Sequence, residues 1–443
     1  MTQAEKQHMM ATAPIPGLIA RLSVPTIISM LITSFYNMAD TFFVGKLGTS
    51  ATAAVGVVFP LMSIIQALGF LFGHGSGNSV SRKLGAQKVD EAEHLASCGF
   101  FSALVCGLLI LIVGQLFLEP LSRILGSTDT ILPYTKQYLS VILIGAPYMT
   151  ASLTLNNLLR FQGSAFYAMI GITTGAVLNV ILDPVFIFVF DMGIAGAAWA
   201  TILSQLVSFV LLLVGMKVSN CVPLRMKNMK YLPSLIGQIF GGGLPSLCRQ
   251  GLASLATVAL NLAAGPYGDA AIAAMSIVMR IAFFAGSTVI GFGQGFQPVC
   301  GFNYGAGNIK RVKEAFWFCV KLATGVLIVL AILGFVFSGN LVAIFRKDDL
   351  EVIAIGTLAL RTQCVTLPLT GWIILNNMLF QTIGRTVPAS VLAASRQGIF
   401  FLPAVLILPF FFGILGVQCA QAVADAAAFA LALVLNRKLM PTL

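Results

Sequence analysis

Residues 100–118, 199–216, 320–337 and 417–435 each form an almost unbroken apolar run. About 20 such residues are what a helix needs to cross the hydrocarbon core of a bilayer. A chain holding several of these runs has few choices. Inside lipid every backbone N–H and C=O must be satisfied within the protein, so spanning elements are helices or closed barrels. Runs of this length without period-two alternation read as helices. Composition agrees: 9% of the 443 residues are charged and 58% are apolar, with a mean hydropathy of +0.94. A soluble domain carries about a quarter charged residues, and this chain has too few to cover itself.

Setting runs against breaks gives spans near 18–44, 52–78, 97–118, 137–159, 165–190 and 194–216. A second set lies near 237–264, 271–300, 316–338, 353–380, 387–411 and 414–435. The polar start of the chain, with Glu5 and Lys6, shows no cleavage site, so the first span reads as retained.

Lys and Arg positions orient the spans. One set of connections carries Arg82, Lys83 and Lys88, then Lys217, Arg225, Lys227 and Lys230, then Lys310, Arg311 and Lys313. Arg21, Arg385, Arg437 and Lys438 join that set. The opposite side carries mainly Lys46, Arg123, Lys136, Arg346 and Lys347, the last two offset by Asp348, Asp349 and Glu351. Every second loop is the basic one, as twelve spans require, and both termini are expected in the cytoplasm. The net charge of +11 is thereby explained without a nucleic-acid partner.

The sequence repeats. Shifted by about 220 residues, Pro25 meets Pro245, Gly48 meets Gly268, and Gly85–Ala86 meets Gly305–Ala306. In the same register Leu155–Asn156–Asn157 meets Leu375–Asn376–Asn377, and Gly193 and Gly196 meet Gly413 and Gly416. Each repeat holds six spans, an even number, so both halves enter the membrane from one side and are related by an axis along its normal. The expected fold is an all-α membrane protein, about twelve transmembrane helices in two pseudo-symmetric six-helix bundles around a central cleft. Residues 1–217 form the first bundle, 218–234 a cytoplasmic linker with three cations, Arg225, Lys227 and Lys230, and 235–443 the second bundle.

Of the acidic residues only Asp40, Asp183 and Asp425 lie well inside spans. A charge at the centre of a membrane helix costs roughly 2.5–3.5 kcal/mol on insertion scales, and such residues face cavities and carry function. Tyr36, Asn37 and Asp40 share one helical face by their spacing, and Asn179 and Asp183 repeat a spacing of four. Pro184 follows and frees a carbonyl. Two carboxylates, two amides, a phenol and a carbonyl are hard oxygen ligands suited to Na⁺ or to proton exchange. A polar knot that fixes helix packing is the other reading of these residues, and spacing leaves both open.

Asp425, whose repeat partner is Gln205, reads either as half of an ion pair with Arg249 or Arg280 or as a substrate contact. Asn156, Asn157, Asn376 and Asn377 either line the cleft or bond between helices. Arg160 and Arg385 read as headgroup anchors at helix ends. The glycines of Gly69, Gly73, Gly75 and Gly77, and of Gly291, Gly293 and Gly295, sit inside apolar spans with no preceding strand, so they mark close helix packing or hinges rather than a phosphate loop. The eight cysteines are scattered singly and read as packing residues. His8, His74 and His94 are too separated for a metal or catalytic cluster, and His74 reads as a packing or hydrogen-bonding group.

The motifs together resemble the multidrug and toxic compound extrusion (MATE) family over essentially the whole chain, and its MepA-like and DinF-like bacterial branches most. They are Tyr36-Asn37-x-x-Asp40-x-x-Phe43-Val44-Gly45, Arg82-x-Leu84-Gly85-Ala86, Asn179-x3-Asp183-Pro184 and Gly193-x-x-Gly196-Ala197-Ala198. The resemblance implies H⁺- or Na⁺-driven antiport that exports organic, often cationic, compounds across the bacterial inner membrane by alternating access. It implies a cation site at Asp40, Asn179, Asp183 and Thr201, with Tyr36 nearby; Thr201 rests on the resemblance alone. It implies no bound cofactor, small organic molecules and lipid as partners, and a monomer. Other branches keep a cation-binding carboxylate on the seventh helix, where this chain reads Cys248-Arg249-Gln250-Gly251-Leu252, so coupling through the first half is expected. The rivals are a flippase for lipid-linked precursors or a metabolite exporter of the same superfamily; a membrane enzyme lacks a visible nucleophile, base or metal cluster.

Overall fold

The computed structural model describes residues 2–345 and 349–442. Arg346, Lys347 and Asp348, which entered the charge balance of one loop, lie outside the described residues. The first half consists of α1 (Ile15–Gly45), α2 (Thr49–Gly85), α3 (Val89–Leu116), α4 (Leu132–Phe161), α5 (Ala165–Val189) and α6 (Gly193–Val218). The second consists of α7 (Leu232–Ala264), α8 (Asp269–Gly305), α9 (Ile309–Val336), α10 (Leu350–Thr382), α11 (Thr386–Phe412) and α12 (Ile414–Leu439). Eleven of these helices are long and apolar enough to cross a membrane. The remaining one, α7, has 33 residues but dilutes its apolar face with Gln238, Arg249, Gln250 and Asn261.

The sequence repeat returns as contact symmetry. The halves meet through α1 with α8, α2 with α7, and α2 with α8. A Cβ on Gly85 would strike the Phe302 carbonyl, and one on Gly305 would strike the Arg82 carbonyl; each residue is the other pair's mate at an offset of 220. Gly75 meets the α7 backbone at Ile239 and Gly243, and its mate Gly295 meets Ser23 on α1. Glycine is required there because two backbones touch. Short helices after α3 and α9, Leu118–Ile124 and Ser338–Phe345, obey the same offset.

One detail departs from a gap-free repeat. In α4 and α10 the kinking prolines 147 and 368, the helix ends Phe161 and Thr382, and the left-handed Gly163 and Gly384 are 221 residues apart. Asn156 donates to the Ala168 carbonyl (3.2 Å) and Asn377 to the Ala389 carbonyl (2.6 Å). By position, then, Asn156 is the mate of Asn377. The sequence alignment paired it with Asn376 because two adjacent asparagines match in either register.

The ends of the bundles with the basic loops are closed. Ser81 donates to the Pro298 carbonyl (3.0 Å) and Arg82 to that of Thr382 (2.6 Å) across the seam. A helix ahead of α1, Gln3–Thr12, starts with a capping box of Thr2 and Glu5. Its buried Lys6 bonds Ser164 and the Ser219 carbonyl of the first half, while Asn303 and Arg311 of the second half donate to the Met10 and Ala13 carbonyls. The linker is also held: Arg225 pairs with Glu93 on α3 (3.3 Å), and Asn228 donates to the same carboxylate (3.0 Å).

Candidate functional site

The first half brings Asp40 and Asp183 together. Pro184 has no N–H to continue the ladder of α5, and the helix reseats as a π-turn over Val185–Val189, with the Phe190 N–H on the Val185 carbonyl. π-turns of this kind concentrate at functional sites. Asp183, one residue before the proline, is 0% exposed, and its carboxyl lies within hydrogen-bonding reach of the Asp40 carboxyl on α1. Asn179, one turn earlier, bridges to α6: in the orientation that satisfies both ends of its amide, it donates to Asp183 Oδ2 (3.0 Å) and accepts from the Thr201 N–H (3.2 Å). The Tyr36 hydroxyl reaches Thr201 and Gln205.

Four of the five residues expected at a cation site are thus brought together from α1, α5 and α6, and Tyr36 lies beside them. Thr201, implied only by the resemblance, belongs to the same constellation. Asn37 is exposed, on the flank of the face that carries Asp40. Two members were missed. Tyr138 of α4 is buried, with its phenol beside Thr201, Tyr36 and both carboxyls; a tyrosine in an apolar span carries no insertion penalty that would mark it. Gln205 had been noted only as the repeat mate of Asp425.

The chemistry of the pocket is that of oxygen. Among the described residues no Lys or Arg makes an ion pair with Asp40 or Asp183. Asp40 Oδ1 is buried with no hydrogen-bond partner. Two adjacent carboxyls repel when both are ionised, and a proton or hard cation between them removes that repulsion.

The other expected positions are dispersed. Asp425 does not pair with Arg249 or Arg280: Arg396 on α11 holds it at 2.7 Å, and Gln421 donates to it at 2.9 Å. Arg396 lies in a second π-turn, Ser395–Ile399, which turns its side chain toward α12. Arg280 is exposed. Asn376 bonds Asn436 at 2.5 Å, and Asn156 ties α4 to α5, so both serve helix packing. Asn157 and Asn377 instead accept from guanidinium groups, of Arg160 and Arg249 respectively. Arg160 is therefore not a headgroup anchor; it is 3% exposed and bridges Asn157 to Gln294 across the seam. Arg385 is exposed.

Comparison with known proteins agrees with this architecture. The MatE family pattern matches residues 25–185 and again 245–407, once in each half. The multidrug export protein MepA of Staphylococcus aureus (strain MSSA476) is 28% identical over 427 residues, 95% of this chain and 93% of that protein. MepA of Staphylococcus saprophyticus is 26% identical over 405 residues, 91% of this chain and 89% of that protein. Among solved structures, a MATE protein in complex with MaL6 superposes with a TM-score of 0.92 at 26% identity, covering 98% of both chains. A MOP superfamily transporter from Pyrococcus furiosus, described as having a binding pocket of reverse polarity, gives 0.90 at 26% identity and 97% coverage of both chains.

Proposed function

Because this chain belongs to the MatE family, whose members here are multi-pass multidrug export proteins, we propose that it is an antiporter that exports small organic molecules in exchange for H⁺ or Na⁺ bound at Asp40 and Asp183. The observation that carries this reading is the pair of adjacent carboxyls, Asp183 buried and Asp40 beside it, with no Lys or Arg ion-paired to either among the described residues. An acid pair of this kind binds one small cation well and two negative charges badly, so loading and unloading changes how α1 sits on α5 and α6.

The seam is closed at the basic ends, which the distribution of Lys and Arg assigns to the cytoplasm. That closure suits an alternating-access cycle in which substrate leaves, and the cation arrives, from the outside. Asn179 and Thr201 complete the ligand set for Na⁺, and Tyr36, Tyr138 and Gln205 hold the set in place. The protein works as a monomer in the inner membrane, both termini in the cytoplasm, without catalysing a reaction.

The test is ethidium efflux from energised vesicles under an imposed H⁺ or Na⁺ gradient. Wild type is expected to follow one gradient, and Asp40→Asn and Asp183→Asn to lose at least about tenfold of the gradient-driven rate, the loss of one strong charge-assisted contact. Full activity in both variants would make the acid pair structural and overturn the coupling site.

A further inference from the structure

Where the halves meet lies a second polar layer that the coupling site does not use. Its members are His74 on α2, Arg160 on α4, Ser246 and Arg249 on α7, and Asn377 and Gln381 on α10. Gln381 Nε2 donates to Ser246 Oγ at 2.8 Å. The Ser246 hydroxyl lies 3.1 Å from His74 Nδ1. His74 Nε2 is buried in a residue 0% exposed and has no partner.

Two guanidinium groups lie close enough to this imidazole to act on it electrostatically, those of Arg160 and Arg249. Neither makes an ion pair with a described carboxylate. Arg160 bonds the amide oxygens of Gln294 and Asn157 and leaves its Nε buried without an acceptor. Arg249 is half-buried one turn beyond Ser246 on α7, and its bond to Asn377 Oδ1 is long, 3.3 Å. Both guanidinium groups therefore keep unspent donor capacity, and the unspent acceptor beside them is Gln381 Oε1. Buried arginines are ordinarily paired, as Arg396 is in this same molecule. Amide oxygens alone leave positive charge over.

We propose that this layer is a carboxylate-binding subsite: Arg249, supported by Arg160, receives the carboxylate of an amphiphilic organic substrate at the seam between the halves. The planar fork of a guanidinium matches a carboxylate with two parallel bonds. One half-exposed guanidinium backed by a buried one suits a single negative charge better than a phosphate dianion. The inference rests on the exporter reading and adds to it the place where a substrate's carboxylate would be held. A zwitterion would set its carboxylate here without competing for Asp40 and Asp183 in the first half.

The test uses purified full-length protein in liposomes and two fluorescent probes, of which one carries a carboxymethyl group that the other lacks, dansylglycine and dansylamide. Wild type is expected to bind dansylglycine about tenfold or more tightly than dansylamide, the size of a charge-assisted pair in a partly dry site. Arg249→Gln is expected to erase that preference, and Arg249→Lys, which keeps the charge but not the fork, to retain part of it. Size-exclusion elution of each variant checks folding. Equal binding of the two probes by wild type overturns the proposal without any variant, as does an unchanged preference in Arg249→Gln. Binding is read without transport, and ethidium efflux in the same preparation tells a failure of the exporter reading from a failure of this one.

Discussion

The same pair of helices occurs twice in this molecule and solves the problem of a buried acid in two ways. In the first half, Asp183 on α5 faces Asn179, Thr201 and a second acid, with no cationic side chain paired to it among the described residues. In the second half, Asp425 on α12 is held by Arg396 on α11 and by Gln421. Each site has a π-turn on the fifth helix of its repeat, at Val185–Val189 and at Ser395–Ile399. A duplicated scaffold has thus diverged at its most expensive residues. An acid neutralised by its own chain fixes a helix pair, whereas an acid left open needs an ion from solution and changes state when that ion leaves.

The largest effect that sharpens this contrast lies in the second half. Arg396→Leu leaves Asp425, 4% exposed at its side chain, buried and unpaired, which is expected to cost about 3 kcal/mol of stability. The lower end of the usual range applies because Arg396 is 29% exposed and its loss admits water. Replacing both partners, Arg396→Leu with Asp425→Leu, is expected to restore most of that loss, since an apolar pair of similar volume pays no desolvation. Thermal unfolding in detergent reads both. A double variant as unstable as the single one would break the contrast by showing that Asp425 does more than answer Arg396.

A smaller effect tests where the halves are still alike. Gly85→Ala and Gly305→Ala each push a Cβ into a backbone carbonyl of the opposite half, and each is expected to cost about 2 kcal/mol, the usual range for overpacking. The two losses should match, because the contacts are mates under the repeat. Thermal unfolding of the two variants side by side checks it, and unequal losses would place the asymmetry in the seam as well as in the acid sites.

These contrasts differ in how far the sequence exposes them. Spans, halves and the seam glycines are legible because each follows from hydropathy, spacing or self-similarity along the chain. Asp40, Asn179 and Asp183 are legible because polar groups inside apolar runs are costly and therefore informative. Arg396 was not selected as the partner of Asp425, since a π-turn rotates a side chain off the face that regular helical spacing assigns to it. Arg160 read as a headgroup anchor because its place near a helix end says nothing of Gln294, 134 residues away, on which it is bonded. The register step in α4 and α10 was hidden by the doubled asparagines, which satisfy an offset of 220 or 221.

In the first half, stability and coupling should separate. Asp183→Asn removes one of two mutually repelling carboxyls and keeps the shape and hydrogen bonding of the side chain, so its unfolding free energy is expected to move by less than about 1 kcal/mol. Its gradient-driven efflux is nevertheless expected to be lost. The opposite pattern, strong destabilisation with coupling kept, would make the first-half site a structural knot like the second.

The smallest expected effect concerns Tyr138, which joins the first-half pocket from α4 with its hydroxyl beside Thr201. Phenylalanine fills the same space, so the buried ring keeps its packing and only the hydroxyl goes. One hydrogen bond in such a site contributes about 1 kcal/mol, which is roughly fivefold in affinity. Tyr138→Phe is therefore expected to raise the half-saturating cation concentration for efflux about fivefold with little change in the maximal rate. Tyr148→Phe, on the same helix but beside Phe209 and away from the acids, supplies the control and should leave that concentration unaltered. If both variants behave alike, the Tyr138 hydroxyl is part of the packing of α4, and the open acid pair is set by α1, α5 and α6 alone.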